Sequence, residues 1–116
     1  MPAIGADADY VTFINTFRCA PETQAKVVQL NVDIIEQVAR SSPGFVSATV
    51  HRSVDGSRVI NYLQWRTSAD LKSMQRSAQF QQIAAGFAGL IEFDPHEVEI
   101  AHVRSAPRMP TAGSLG

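Results

Sequence analysis

Apolar and polar residues alternate through residues 10–18, YVTFINTFR, which places Val11, Phe13, Asn15 and Phe17 on one side. Period two in a run rich in Val, Ile, Thr and Phe predicts a β-strand. The period then lengthens. Val27, Leu30, Ile34, Ile35 and Val38 recur at helical spacing, so CAPETQ is expected to open a helix. Pro21 suits its first position and Glu22 its positive end. SSPG at 41–44 stops it. FVSATVHRS from Phe45 and RVINYLQW from Arg58 read as two further strands, joined at Asp55-Gly56. That dipeptide marks a hairpin, since both residues tolerate positive φ. TSAD at 67–70 fits a capping box and starts a second helical stretch carrying Leu71 and Met74. The stripe restarts at Phe80, Ile83, Ala84 and Phe87, which predicts two short helices broken near Ser77. Gly86, Gly89 and Asp94-Pro95 are expected to unwind the chain ahead of a fourth strand, HEVEIAHVR at 96–104.

The resulting order, βαββαβ with the second helix split, is that of a ferredoxin-like α+β fold. It implies a four-stranded antiparallel sheet with helices on one face. Ile60 and Tyr62 fall on the opposite face, and no helix remains to cover them. A second copy of the sheet is the economical cover, so a homodimer is expected.

Composition narrows the picture. The chain has 116 residues, 45% hydrophobic and 18% charged, with a net charge of −1. That suits one domain, expected over 9–104, with an N-terminal extension at 1–8 and a flexible C-terminal tail at 105–116. No basic stripe points to nucleic acid. No apolar run approaches the roughly 20 residues that span a bilayer. MPAIGADADY lacks the basic-then-apolar order of a signal peptide, and Cys19 stands alone, so a cytoplasmic setting is expected.

Candidate chemistry sits on the third strand. Val59, Asn61, Leu63 and Trp65 share one face, and Asn15 shares the corresponding face of the first strand. Asn61 reads either as a core amide bonded to a neighbour or as a donor to a ligand. Trp65 offers a flat wall and one N–H. Four residues along a strand separate them by about 13 Å. His51 is expected to face solvent at the hairpin. His96 and His102 lack a third ligand at metal spacing, so no metal site is expected. Cys19 has no base beside it in sequence.

The run PGFVSATVHRSVDGSRVINYLQWRTSADL, residues 43–71, resembles the antibiotic biosynthesis monooxygenase family of dimeric α+β barrels. Its marks are Pro-Gly-Phe entering the second strand, His51-Arg52-Ser53 before Asp55-Gly56, and Asn61-Tyr62 with Gln64-Trp65 closing the third strand. It is similar to the actinorhodin-pathway branch. The resemblance implies oxidation of a quinol-like or polycyclic aromatic, polyketide-type substrate by O₂, without flavin, haem or metal. It assigns Asn61 and Trp65 to catalysis. Asn15, Phe13, Leu71, Met74 and Phe80 are expected to bind substrate. Two positions depart from that branch: Leu71 stands where it has Tyr, and Gln81 where it has Arg. Arg76 lies near enough in sequence to substitute. The departures leave open a non-catalytic dimer that binds a small aromatic ligand. A haem-degrading branch shares Asn15 and Trp65 but needs a helical axial His, which residues 68–87 lack, and ranks lower.

Overall fold

The computed structural model describes residues 10–107. Strand β1 (Val11–Arg18) leads through a turn to α1 (Gln24–Gln37). Strands β2 (Phe45–Arg52) and β3 (Arg58–Trp65) form the hairpin, and α2 (Ser68–Gln75) and α3 (Ala78–Ala84) follow. Strand β4 (Glu92–Val98) completes an antiparallel sheet ordered β2-β3-β1-β4. This is the expected ferredoxin-like arrangement, with β1 and β3 at the centre. Among the described residues, no helix is long and apolar enough to cross a membrane.

The central register aligns Asn15 with Asn61 and Val11 with Trp65. One face of β1 and β3 is therefore set against the helices, and Val59, Asn61 and Trp65 are all buried there. The other face stays partly open, with Ile14 37% exposed. Two apolar clusters fill the space under the helices. One gathers Val38, Ala39, Trp65, Leu71 and Met74; the other gathers Phe17, Val27 and Val59.

Three local expectations need correction. The helix begins at Gln24, not Pro21. Pro21 instead occupies the second position of a turn closed by Thr23 N–H donating to Ala20 O, 3.0 Å, where its fixed φ is equally at home. The hairpin is not built from two positive-φ residues: Gly56 alone is positive, at 83°. Gly56 N–H donates to Ser53 O at 3.1 Å, so Val54 and Asp55 form an ordinary turn and the glycine follows it. The fourth strand lies earlier than 96–104, and Asp94-Pro95 sits inside it. An edge strand tolerates proline because the missing N–H can face away from its single neighbour. Here that neighbour is β1, with Pro95 opposite Asn15.

Asp55 secures the hairpin. Its carboxylate accepts from Ser57 Oγ (2.7 Å), Ser57 N–H (2.9 Å) and Ser53 Oγ (2.8 Å). The side-chain bond from Ser57, then its backbone N–H and the Ser53 hydroxyl, lower the Asp55 pKa from 3.8 to about 2. A carboxyl whose folded-state pKa is depressed adds stability above its unfolded value, and loses it as pH falls through the folded one. Asp55→Asn is therefore expected to flatten the loss of stability between pH 3.8 and about 2. Urea midpoints across that range check this, and an unchanged slope refutes it.

The break between α2 and α3 is as expected and has a clear cause. Ser77 Oγ donates to Met74 O (2.7 Å), ending α2, and accepts from Phe80 N–H (3.2 Å), starting α3. Thr67 caps α2 by accepting from Asp70 N–H at 3.0 Å. Gly44, at φ 85°, turns the chain into β2 while its carbonyl accepts from Arg66 N–H at 2.8 Å. A Cβ there would collide with the Asp70 carboxylate, so the loop needs glycine for conformation and for space.

Candidate active site

A cavity of about 280 Å³ lies between the helix-facing side of the sheet and α1, α2 and α3. Its walls are mostly hydrocarbon and aromatic: the polar members are Asn15, Asn31, Asn61 and Gln75, and Trp65 also lines it. Among the described residues, no acid, base or thiol lines it.

The amides form a row. Asn15 Nδ2 donates to Asn61 Oδ1 at 2.8 Å, and Asn61 Nδ2 donates to Asn31 Oδ1 at 2.8 Å. Asn31 Nδ2 then donates to Val27 O at 3.0 Å. All three asparagines are buried. Cross-strand register brings Asn15 against Asn61, and α1 lowers Asn31 onto the pair from above. Asn61 thus fits the first of the two sequence readings. It is a bonded core amide, yet an amide NH₂ carries a second N–H beyond the one spent on Asn31.

Trp65 behaves differently. It is fully buried, and its Nε1 is the one buried side-chain nitrogen or oxygen without a hydrogen-bond partner among the described residues. Buried donors are rarely left so. Its ring meets Phe45 edge-on, with centroids 5.5 Å apart at 78°, a favourable aromatic geometry. A bulge in β2 between Phe45 and Ser47 keeps Phe45 opposite Trp65.

Of the residues singled out from sequence, Asn15, Asn61, Trp65, Leu71, Met74 and Phe80 all line this cavity. Phe13 does not. It shares the face of Asn15 but packs against the Val38–Trp65 cluster. Leu71 gives the wall hydrocarbon where the similar branch has a phenol. Gln81 lies outside, exposed, its Nε2 donating to Gln75 O at 2.8 Å. Arg76 is also exposed and outside, so it does not substitute for the absent Arg. His51 is exposed, as expected. Among the described residues no cluster of three metal-ligating side chains occurs. The Cys19 thiol is pushed up, first by burial and then by Asp55, which disfavours the thiolate.

Asn31 and Phe93 are among the lining residues that the sequence reading did not name. Asn31 interrupts the apolar stripe of α1 one turn after Val27, a legible signal. Phe93 was hidden by the misplaced fourth strand. It pairs with Phe17 across β1 and β4, ring centroids 4.9 Å apart, and Phe87 meets Phe17 at 5.2 Å. Phe93 is 51% exposed while lining the cavity, which puts it at the mouth.

Comparison with known proteins agrees with this architecture. The family model described as antibiotic biosynthesis monooxygenase matches residues 10–86. Tetracenomycin-F1 monooxygenase of Streptomyces glaucescens is 42% identical over 81 residues, covering 70% of this chain and 72% of that one. SnoaB, a cofactor-independent oxygenase of Streptomyces nogalater, superposes with a TM-score of 0.64 at 22% identity, covering 87% of this chain and 100% of its own. A protein of Methanosarcina mazei gives a TM-score of 0.69 at 15% identity, covering 78% and 91%. These two likenesses show the shared fold. With the family match spanning most of the chain and the identity to the curated relative, this protein belongs to the antibiotic biosynthesis monooxygenase family and is an oxidoreductase.

Proposed function

We propose that the protein is a cofactor-independent monooxygenase that oxidises a quinol-like or polycyclic aromatic, polyketide-type substrate with O₂. The observation that carries this reading is an apolar cavity lined by Trp65, whose N–H has no protein partner, and by the Asn15–Asn61–Asn31 row. Ligand pockets commonly span roughly 300–1,000 Å³. A cavity of about 280 Å³ therefore suits a compact fused-ring compound. The curated relative is named a monooxygenase of tetracenomycin F1, which supports the oxygenase reading.

An anthrone or hydroquinone, once deprotonated, is itself a reductant of O₂. In the anthrone case the carbanion and O₂ form a carbon peroxide. Loss of water from that peroxide cleaves the O–O bond and leaves a new carbonyl, so one oxygen atom enters the product and one leaves as water. The protein's part is to bind, orient and stabilise charge. Trp65 stacks against the rings and donates to a substrate oxygen. The second N–H of Asn61 meets the oxyanion, and Asn15 adds a polar contact. Leu71, Met74 and Phe80 exclude water, which strengthens these bonds. Among the described residues the lining carries no acid or base, and in this reading the substrate's own acidity sets the pH dependence.

The test is O₂ uptake by metal-stripped, flavin-free protein with a panel of anthrones and hydroquinones. Uptake well above the buffer rate supports the reading. Binding of the same compounds without uptake moves it to the ligand-binding alternative. We also place the protein as a homodimer through its open sheet face, around Ile14, Ile60 and Tyr62. A monomeric solution mass at micromolar concentration refutes that.

A further inference from the structure

We infer that Asn31 is a positioning residue that fixes which way Asn61 and Asn15 present their amides to the cavity. Its role in turnover rests on the monooxygenase reading; its role in orientation does not.

The argument starts at a backbone atom. The Val27 carbonyl lies within α1 and can only accept a hydrogen bond. Asn31 must therefore turn its NH₂ toward Val27 O, at 3.0 Å, and its oxygen away. That oxygen can only accept, so Asn61 must donate to it from Nδ2, at 2.8 Å. The Asn61 oxygen then faces Asn15, which must donate in turn, at 2.8 Å. Reversing any one amide sets oxygen against oxygen. One helix carbonyl thus dictates the sense of the whole row. Val27 is fully buried and Asn31 is 3% exposed, so the anchor is held by packing.

The sense matters chemically. With its oxygen committed to Asn15, Asn61 offers a ligand only an N–H, the group a developing oxyanion needs. Turned over, Asn61 would present its carbonyl oxygen to negative charge. Asn15 ends the row with its oxygen unclaimed by any described residue, so it can accept from a substrate hydroxyl. Asn31 itself need touch no reacting atom.

Two variants separate orientation from simple packing. Asn31→Leu keeps the approximate volume and removes the anchor. Asn31→Asp makes the anchor depend on pH. Its protonated carboxyl can donate to Val27 O and accept from Asn61, reproducing the native row. Its ionised form sets an oxygen against that carbonyl, and burial favours the neutral acid. The readout is the side-chain NH₂ resonances of Asn61 and Asn15 in ¹⁵N-labelled protein, with thermal melts to confirm folding. Native-like Asn61 signals are expected in Asn31→Asp at low pH, lost as pH rises. Displaced signals at every pH are expected in Asn31→Leu. With an active substrate, kcat should fall about tenfold or more in Asn31→Leu, and in Asn31→Asp should follow the same titration as the amide signals, with KM changing less. Should Asn31→Leu fail to fold, the pH dependence of Asn31→Asp decides alone. Asn61 resonances insensitive to pH in Asn31→Asp and unmoved in Asn31→Leu overturn the proposal. An inactive wild type would sink the monooxygenase reading alone, since the resonances need no substrate.

Discussion

Asn61→Ala is expected to lower kcat for O₂ uptake by about 10²–10³-fold, the usual cost of removing one donor from an oxyanion site. KM should change little if the bond forms mainly to the developing anion. The same change also breaks the row. Asn15 Nδ2 loses its acceptor and Asn31 Oδ1 its donor, each a buried group. A stability loss of about 1–3 kcal/mol is expected from that, less where water enters the cavity. Activity must therefore be compared well below the melting temperature of the variant. Asn61→Ala combined with Trp65→Phe is the sharper case: retained turnover there would remove both residues from catalysis.

Trp65 carries the other large effect, and two substitutions divide its roles. Trp65→Ala removes a fully buried side chain that joins Val38, Ala39, Leu71 and Met74 and meets Phe45 edge-on. A loss of about 3–5 kcal/mol is expected, with a melting temperature lower by on the order of 10–20 °C. That is a large fraction of the ~5–15 kcal/mol typical of a domain. Trp65→Phe keeps an aromatic ring and deletes an N–H that has no protein partner. Its stability cost should be only about 1–2 kcal/mol, the penalty of the smaller ring, because no protein hydrogen bond is lost. Its affinity for aromatic substrate should fall about tenfold, the worth of one buried bond. Thermal melts and ligand titration on the same samples separate the two. Unchanged affinity in Trp65→Phe would show that the indole N–H serves neither protein nor ligand.

The candidate site was partly visible in the one-dimensional pattern because strands alternate. Asn15, Asn61 and Trp65 were assigned to one buried face by parity alone, and the register sets Asn15 directly opposite Asn61. Helical spacing and the Ser77 break put Leu71, Met74 and Phe80 on the core-facing stripe, and the family resemblance marked them as substrate contacts. Phe13 shows the limit of parity. It selects a face of the sheet, but not whether a residue on that face meets a cavity or another side chain. Phe93 shows a different limit. Asp-Pro usually ends regular structure, and only the pairing of β4 with β1 at an edge makes Pro95 acceptable within a strand.

The order of elements, the split helix at Ser77, the glycine at 44 and the shared face of Asn15, Asn61 and Trp65 were determined by the sequence, because each depends on local periodicity or on one residue's backbone chemistry. The tertiary structure decided what those residues do to one another. Whether Asn61 is spent or available depends on Asn31 arriving from α1 and Asn15 from β1. That the Trp65 N–H is left without a partner depends on what packs around it. Hydrogen bonding across elements and the space left between them arise from three-dimensional packing, which no local period encodes.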